Sequence, residues 1–148
     1  MKKIFFLISL LFWSVLSYGQ MKIFTDNIYL TSLSKFISYL DSVYGNTEKM
    51  LFFDNLPGVT FYLPTTINKH KITYLSEFDK EEKLKTQTTI VMYEIFPMVK
   101  KEDKFYVPFS TYNITKNGSV VIATWHFIYS YDCINDRFIY LTVVGGGF

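Results

Sequence analysis

Four runs rich in β-branched and aromatic residues fill the C-terminal half of the chain, and they restrict its possible folds more than any other feature. The runs span 87–96, 104–115, 119–133 and 137–144. Turn-forming pairs separate the last three runs, Asn117 with Gly118 and Asn135 with Asp136. Because Asn-Gly is a strong signal for a two-residue hairpin loop, this half of the chain predicts an antiparallel meander.

The region before these strands predicts one amphipathic helix over 32–44. Its apolar residues recur at a spacing of three or four, which places them on a single helical face. Thr31 or Ser32 can cap its start, and Gly45 can end it in a left-handed conformation. Residues 22–30 before the helix are ambiguous and favour an edge strand.

Shorter elements are predicted between the helix and the meander. Residues 50–54, 59–63 and 71–75 predict strands, with a turn at 56–58, and Ser76 begins a charged helical turn over 76–85. Together the patterns predict an α+β fold, in which one N-terminal amphipathic helix packs on an antiparallel sheet of about five to seven strands. The Gly145 to Gly147 run is expected to be a flexible tail.

The N-terminus has the pattern of a cleavable export signal. Lys2 and Lys3 precede an apolar stretch over 4–16, and Ser17 and Gly19 are the small residues of a cleavage site. The stretch is shorter than the roughly 20 residues of a membrane-spanning helix, so a permanent anchor is the minor alternative. We therefore expect a signal peptide over 1–19, a single domain over 20–148, and a periplasmic or extracellular protein without membrane insertion.

Charge and cysteine content exclude several classes of protein. The chain has 15 basic and 13 acidic side chains, and Lys2 and Lys3 would leave with the signal. The mature domain is then near neutral, whereas nucleic-acid binders carry clustered basic excess, so no nucleic-acid partner is expected. The single cysteine, Cys133, cannot form an internal disulfide, and stability must come from an aromatic-rich core.

The predicted hairpins assign each strand residue to one of two faces. Two-residue turns would pair Tyr112 with Ala123 and Tyr131 with Tyr140. One face then carries no charged residue: Tyr106, Pro108, Ser110, Tyr112, Ile114, Val121, Ala123, Trp125, Phe127, Tyr129, Tyr131, Cys133, Phe138, Tyr140, Thr142 and Val144. The other, the mixed face, carries Phe105, Val107, Phe109, Thr111, Asn113, Thr115, Ile122, Thr124, His126, Ile128, Ser130, Asp132, Arg137, Ile139, Leu141 and Val143. Because an unpaired charge is costly in a core, we expect the uncharged face to be buried and the mixed face to be exposed. The reverse remains open, since an aromatic face can also be a binding platform.

The mixed face supplies the candidate binding residues. Thr124, His126, Asp132 and Arg137 interrupt its apolar side chains, and Glu94 can join them from the strand over 87–96. We expect the Glu94 side chain to point outward on a half-exposed strand. The alternative is that its carboxylate lies in a cleft and has a raised pKa. His126 favours a structural role, because Asp132 lies six residues along the same strand, about 20 Å away.

No motif for catalysis, metal binding or cofactor binding is present. The histidines and Cys133 lack the spacing of zinc ligands, and no phosphate-binding glycine loop or dinucleotide fingerprint occurs. We therefore expect no cofactor, no metal and no enzyme, but an exported binding protein whose partner is another protein. An immunity-type protein that guards the periplasm against a delivered toxin fits this pattern. The alternatives are a small envelope hydrolase using Glu94 and His126, and a structural envelope component.

Overall fold

The described residues, which are 27–45, 47–60 and 63–147 in a computed structural model, form an α+β fold with one main helix and a mixed sheet of eight strands. The predicted signal segment 1–19 and its cleavage after Gly19 lie outside these residues. The elements in chain order are α1 (Ile28–Tyr44), β1 (Met50–Asp54), α2 (Pro57–Thr60), β2 (Thr66–Ile67), β3 (His70–Leu75), α3 (Glu77–Thr86), β4 (Ile90–Ile95), β5 (Val99–Lys101), β6 (Lys104–Thr115), β7 (Gly118–Asp132) and β8 (Arg137–Gly147).

Helix α1 begins one turn earlier than the sequence pattern predicts. The side chain of Asn27 accepts hydrogen bonds from two backbone N–H groups of the first turn, so Asn27 caps the helix and Thr31 and Ser32 do not. Residues 28–30 are therefore helical, and the edge strand expected there is wrong. The helix ends as predicted at Gly45, whose φ is 78°.

The strand order is β2-β3-β1-β4-β6-β7-β8, and β5 pairs with the start of β6. β1 runs parallel to both of its neighbours, β3 and β4, whereas all other pairs are antiparallel. The predicted purely antiparallel sheet of five to seven strands is therefore corrected to a mixed sheet of eight. Helix α3 accounts for the common direction of β3 and β4, and the connection through α2 and β2 returns the chain from β1 to a parallel β3.

Two local expectations also change. A short helix, α2, replaces the start of the strand predicted over 59–63, because the Leu56 carbonyl accepts hydrogen bonds from the N–H groups of Val59 and Thr60. At the other end, Gly145 and Gly146 pair with β7 inside β8 and are not a flexible tail.

The observed register separates the predicted faces differently. The β6–β7 loop consists of residues 116 and 117, with Thr115 opposite Gly118, and a bulge shifts the pairing again between Thr111 and Tyr112. Trp125 therefore pairs with Phe109, and Tyr112 pairs with Val121. A one-residue slip moves side chains to the opposite face, so β6 contributes its predicted mixed-face residues to the core beneath α1.

The sheet is covered unequally on its two sides. Helix α1 buries Leu33, Phe36, Ile37 and Leu40 against one face, where the ring of Phe36 lies 5.2 Å from those of Phe109 and Trp125. Helix α3 covers only part of the opposite face. The smaller core below it consists of Leu75, Ile90, Met92 and Tyr112, with Phe52, Leu84 and Ile114 at its border.

None of the helices in the described ranges is long and apolar enough to span a membrane. The Trp125, Phe127 and Tyr129 side chains are buried as predicted, whereas Cys133 is exposed in the β7–β8 loop. The expected role of Cys133 as a core filler is therefore wrong, because β7 ends at Asp132.

Candidate functional site

One half of the sheet, on the side away from α1, has no described helix over it. We call this surface the open face, and its pairing register brings the outward residues of β7 and β8 together. It comprises Thr124, His126, Ile128, Ser130, Asp132, Arg137, Ile139, Thr142 and Val144. Ile139 and Val144 are 41% and 49% exposed, so apolar surface lies between the polar side chains.

The structure places all five predicted site residues on the same side of the sheet. Thr124, His126 and Asp132 alternate along β7, and Arg137 pairs with Asp132 at the start of β8. Glu94 pairs with Ser110, which pairs with Thr124, so it lies in the same row two strands away. The hydroxyl groups of Ser110 and Thr124 are 3.3 Å apart, and this contact lies between Glu94 on β4 and the site residues of β7.

Asp132 and Arg137 also have a structural role in the β7–β8 turn. The Asp132 carboxylate accepts hydrogen bonds from the backbone N–H groups of Ile134 and Asn135 and from the Asn135 side chain at 2.7 Å. These bonds, with the nearby Arg137, lower the pKa of Asp132 below its ordinary value. The Arg137 Nε lies 3.6 Å from the Asp132 carboxylate, and most of its guanidinium side chain is exposed. Arg137 is thus better placed than Asp132 to contact a partner.

His126 is separated along β7 from the ion pair of Asp132 and Arg137 on the same face. Its ring lies 6.5 Å from the ring of Tyr106, centre to centre and edge to face. Glu94 lies about 10 Å across the sheet from Thr124, the residue of β7 in the same row, given ordinary strand spacings. His126 lies about 7 Å farther along β7 than Thr124. The two residues of the alternative hydrolase site therefore do not make hydrogen-bond contact with each other or with one shared atom.

A second site, which the sequence did not indicate, lies at the edge of α3. We call it the lysine cleft; it encloses about 420 Å³, and its charged residues are Asp54, Glu77, Lys80 and Glu94. Lys80 is 5% exposed, and its Nζ donates hydrogen bonds to Asp54 at 2.9 Å and to Glu77 at 2.6 Å. The Tyr112 hydroxyl donates to the same Asp54 oxygen at 2.9 Å. Two carboxylates thus bind one buried ammonium group, and a third, that of Glu94, lines the same cleft.

The charges of the lysine cleft shift the pKa values of its members. Burial raises the pKa of Glu94, and repulsion from Asp54 adds to the rise. Burial would lower the pKa of Lys80, but hydrogen bonds to Glu77 and Asp54 outweigh it and raise the pKa. Burial and the bond to Asp54 also raise the pKa of Tyr112. Glu94 therefore occupies a cleft, which was the less favoured of its two predicted environments.

Sequence patterns missed both the lysine cleft and a buried histidine. His70 is 2% exposed; its Nε2 is 2.8 Å from Asp41, and its Nδ1 accepts a hydrogen bond from the backbone N–H of Lys49. This arrangement fixes the tautomer, with the proton on Nε2. Both sites join residues that are distant along the chain, and no local spacing indicates that.

Within the described parts of the chain, no three His, Cys, Asp or Glu side chains are arranged to hold a metal ion. The arrangement offers hydrogen-bonding and apolar groups on an exposed sheet surface, next to a charged cleft. No described serine, threonine or cysteine of these two regions has a hydrogen bond to a histidine or a carboxylate; the Ser110 hydroxyl contacts that of Thr124. Searches with protein-family models, curated proteins and solved structures gave no match to this chain.

Proposed function

We propose that this protein binds another protein through the open face and acts as an exported, non-catalytic binding protein. The supporting observation is the composition of that face. Ile139 and Val144 are exposed beside Thr124, His126 and Arg137, and recognition surfaces combine apolar area with polar anchors in this way. An immunity-type protein of the periplasm is one member of this class.

Two further features support a protein as the partner. The mature domain is near neutral, so attraction to a nucleic acid or an anionic membrane is weak. The open face is also the side of a sheet and not a deep pocket, which suits the broad surface of a folded protein better than a small molecule. Glu94 and the lysine cleft border this surface and add carboxylates at its margin.

Affinity capture from an envelope extract tests the proposal with matched variants. We expect His126→Ala and Val144→Lys to weaken retention of the captured protein, because central anchors commonly contribute about 2 kcal/mol, or roughly thirtyfold in affinity. Val43→Lys is the control, since Val43 lies on α1 and is 52% exposed, close to the 49% of Val144. Retention is measured by quantitative mass spectrometry of the eluate.

The proposal requires the open-face variants and the control to differ. Equal retention by wild type, His126→Ala and Val144→Lys would assign the binding to another surface. Equal loss in all three variants would instead indicate that any of these surface substitutions disturbs the protein, so circular dichroism and thermal unfolding of each variant accompany the capture.

The alternative function, a small envelope hydrolase, rests on one observation: Glu94 has a raised pKa in a cleft. A general acid needs such a pKa, but it also needs a partner group near the same substrate atom. The alternative predicts that Glu94→Gln abolishes turnover of an envelope substrate while capture of the partner persists. The binding proposal predicts that Glu94→Gln leaves folding unchanged and alters only capture.

A further inference from the structure

A groove of about 400 Å³ lies on the opposite side of β8, between this strand and α1. Its lining is mainly aromatic and aliphatic, with Tyr39 from the helix and Trp125, Phe127, Tyr140 and Val143 from the sheet. Lys35 is the one charged residue in this described lining, and its Nζ lies 3.9 Å from the centre of the Tyr140 ring. The groove therefore favours apolar groups accompanied by a negative charge.

The same part of β8 forms an edge of the sheet. β8 pairs only with β7, and no backbone hydrogen bond joins residues 137–147 to any other described segment. Past the bulge opposite Ile128 and Tyr129, residues 142–147 carry no charge and no proline. Charged side chains and prolines commonly protect natural edge strands from pairing with another chain. This segment has neither, so its backbone can serve as a template for another strand.

The main chain near the end of β8 is also uncovered on one face of the sheet. A Cβ atom on Gly146 would point to the open face and would meet no atom within 4 Å. The free edge and the groove are neighbours, because Val143 and Gly145 belong to both. A strand added at this edge would point every second side chain toward the α1 side of the sheet, where the groove lies.

We propose that β8 and this groove bind an extended segment of a partner protein. The segment adds a strand along 142–147, inserts an apolar side chain into the groove and places a carboxylate beside Lys35. Three observations favour this occupant: the unpaired backbone of β8 suits an extended chain, the aromatic lining suits an apolar side chain, and the charge of Lys35 suits an acidic neighbour. This inference goes beyond the proposed function, since it uses the face opposite the open face.

The test uses a phage-displayed library of random dodecapeptides as the probe for the purified chain. We expect enriched peptides to alternate apolar residues and to carry an Asp or Glu, and Lys35→Glu to change that preference to Lys or Arg. Val143→Glu should weaken an enriched peptide about tenfold or more, because it places a charge in the groove. Val43→Glu is the matched control: Val43 lies on α1, is 52% exposed and lines neither the groove nor the open face, so affinity should stay within about twofold.

Backbone methylation of the peptide distinguishes strand addition from side-chain binding alone. N-methylation at every second residue should abolish binding in one register and leave it intact in the other, because alternate N–H groups face the edge strand. Affinity is measured by fluorescence anisotropy with synthetic peptides.

Three results would overturn the inference. One is that the library yields the same peptides with wild type and Val143→Glu. Another is that methylation in both registers is tolerated. The third is that the chain elutes as a dimer which Val143→Glu converts to a monomer, since a second copy would then occupy the edge. Failure of open-face binding is recognised separately, because it depends on His126 and Val144 and not on Val143.

Discussion

Two pairs of polar side chains, each with a buried member, connect α1 to the sheet. The Tyr129 hydroxyl lies 2.7 Å from the Ser32 hydroxyl, and His70 binds Asp41 near the other end of the same helix. Each pair satisfies groups that would otherwise cost about 1–3 kcal/mol to bury. The helix is therefore held by polar contacts at both ends and by apolar packing between them.

Thr111 is the exception among the described side chains, because its buried Oγ1 has no hydrogen-bond partner. Thr111→Val keeps the shape and removes the hydroxyl, so we expect the free energy of unfolding to rise by about 1 kcal/mol. Thr124→Val is the matched control. The Thr124 hydroxyl lies 3.3 Å from that of Ser110, so its removal should not increase the free energy of unfolding. Urea denaturation measures both variants, and a loss of stability in Thr111→Val would contradict the argument.

At the level of elements, sequence periodicity located most strands but not their register. The strands over 104–115 and 119–133 are found within one residue of their predicted bounds. Their faces are mismatched because the bulge between Thr111 and Tyr112 shifts the pairing by one residue, whereas the loop at residues 116 and 117 shifts it by two and keeps the faces. A shift of this size depends on three-dimensional packing at a bulge, and alternation within one strand does not reveal it.

The same reasoning explains which part of the candidate site was predictable. Thr124, His126 and Asp132 lie on one strand, so alternation alone places them on one face. The lysine cleft combines Asp54 and Lys80 with residues of other strands, and only the parallel arrangement of β1, β3 and β4 brings them together. An antiparallel sheet, which the sequence patterns predict, does not bring these residues together, so the cleft was not predictable from them.

The close approach of β8 to β7 at Gly145 gives a prediction for this element. A Cβ atom there would lie 2.1 Å from the Thr124 carbonyl oxygen, and φ is 122°, so Gly145→Ala forces the backbone apart. We expect a loss of about 1–3 kcal/mol in the free energy of unfolding, the usual range for overpacking. Gly146→Ala is the control with a smaller expected loss, because its Cβ meets nothing within 4 Å.

Chemical denaturation gives the stability of both glycine variants, and amide hydrogen exchange shows where the structure opens. Faster exchange in the 142–147 segment of Gly145→Ala alone would agree with a local separation of β8. Equal stability of Gly145→Ala and the wild type would mean that this end of β8 is not closely paired in solution.

On the scale of the whole molecule, the two sides of the sheet differ in what they leave uncovered. Val143 and Val144 are neighbours in β8, yet one borders the groove beneath α1 and the other belongs to the open face. The two proposed binding surfaces are therefore independent, although a single strand separates them. A partner with both a folded surface and an extended tail could contact both, and the combined affinity would exceed either contact alone.

The buried tyrosines predict how the stability of the whole molecule depends on pH. Burial raises the pKa of Tyr129 to about 12, whereas an unfolded tyrosine ionises near 10. Between about pH 10 and 12 the unfolded chain releases this proton and the native chain keeps it, so stability falls as pH rises, by up to about 1.4 kcal/mol per pH unit. Tyr74, whose pKa burial also raises to about 12, and Lys80, whose pKa is raised as well, act in the same direction.

Guanidinium denaturation between pH 8 and pH 12 measures this dependence. We expect little change in the free energy of unfolding up to about pH 9.5 and a steepening loss above about pH 10, because the unfolded tyrosines ionise there. Tyr129→Phe should lower stability below about pH 10, since the Ser32 hydroxyl loses its partner. The same variant should show a slope above pH 10 that is shallower by about one proton, because the buried phenol no longer contributes. An unchanged slope in Tyr129→Phe would show that the buried hydroxyl does not control alkaline unfolding.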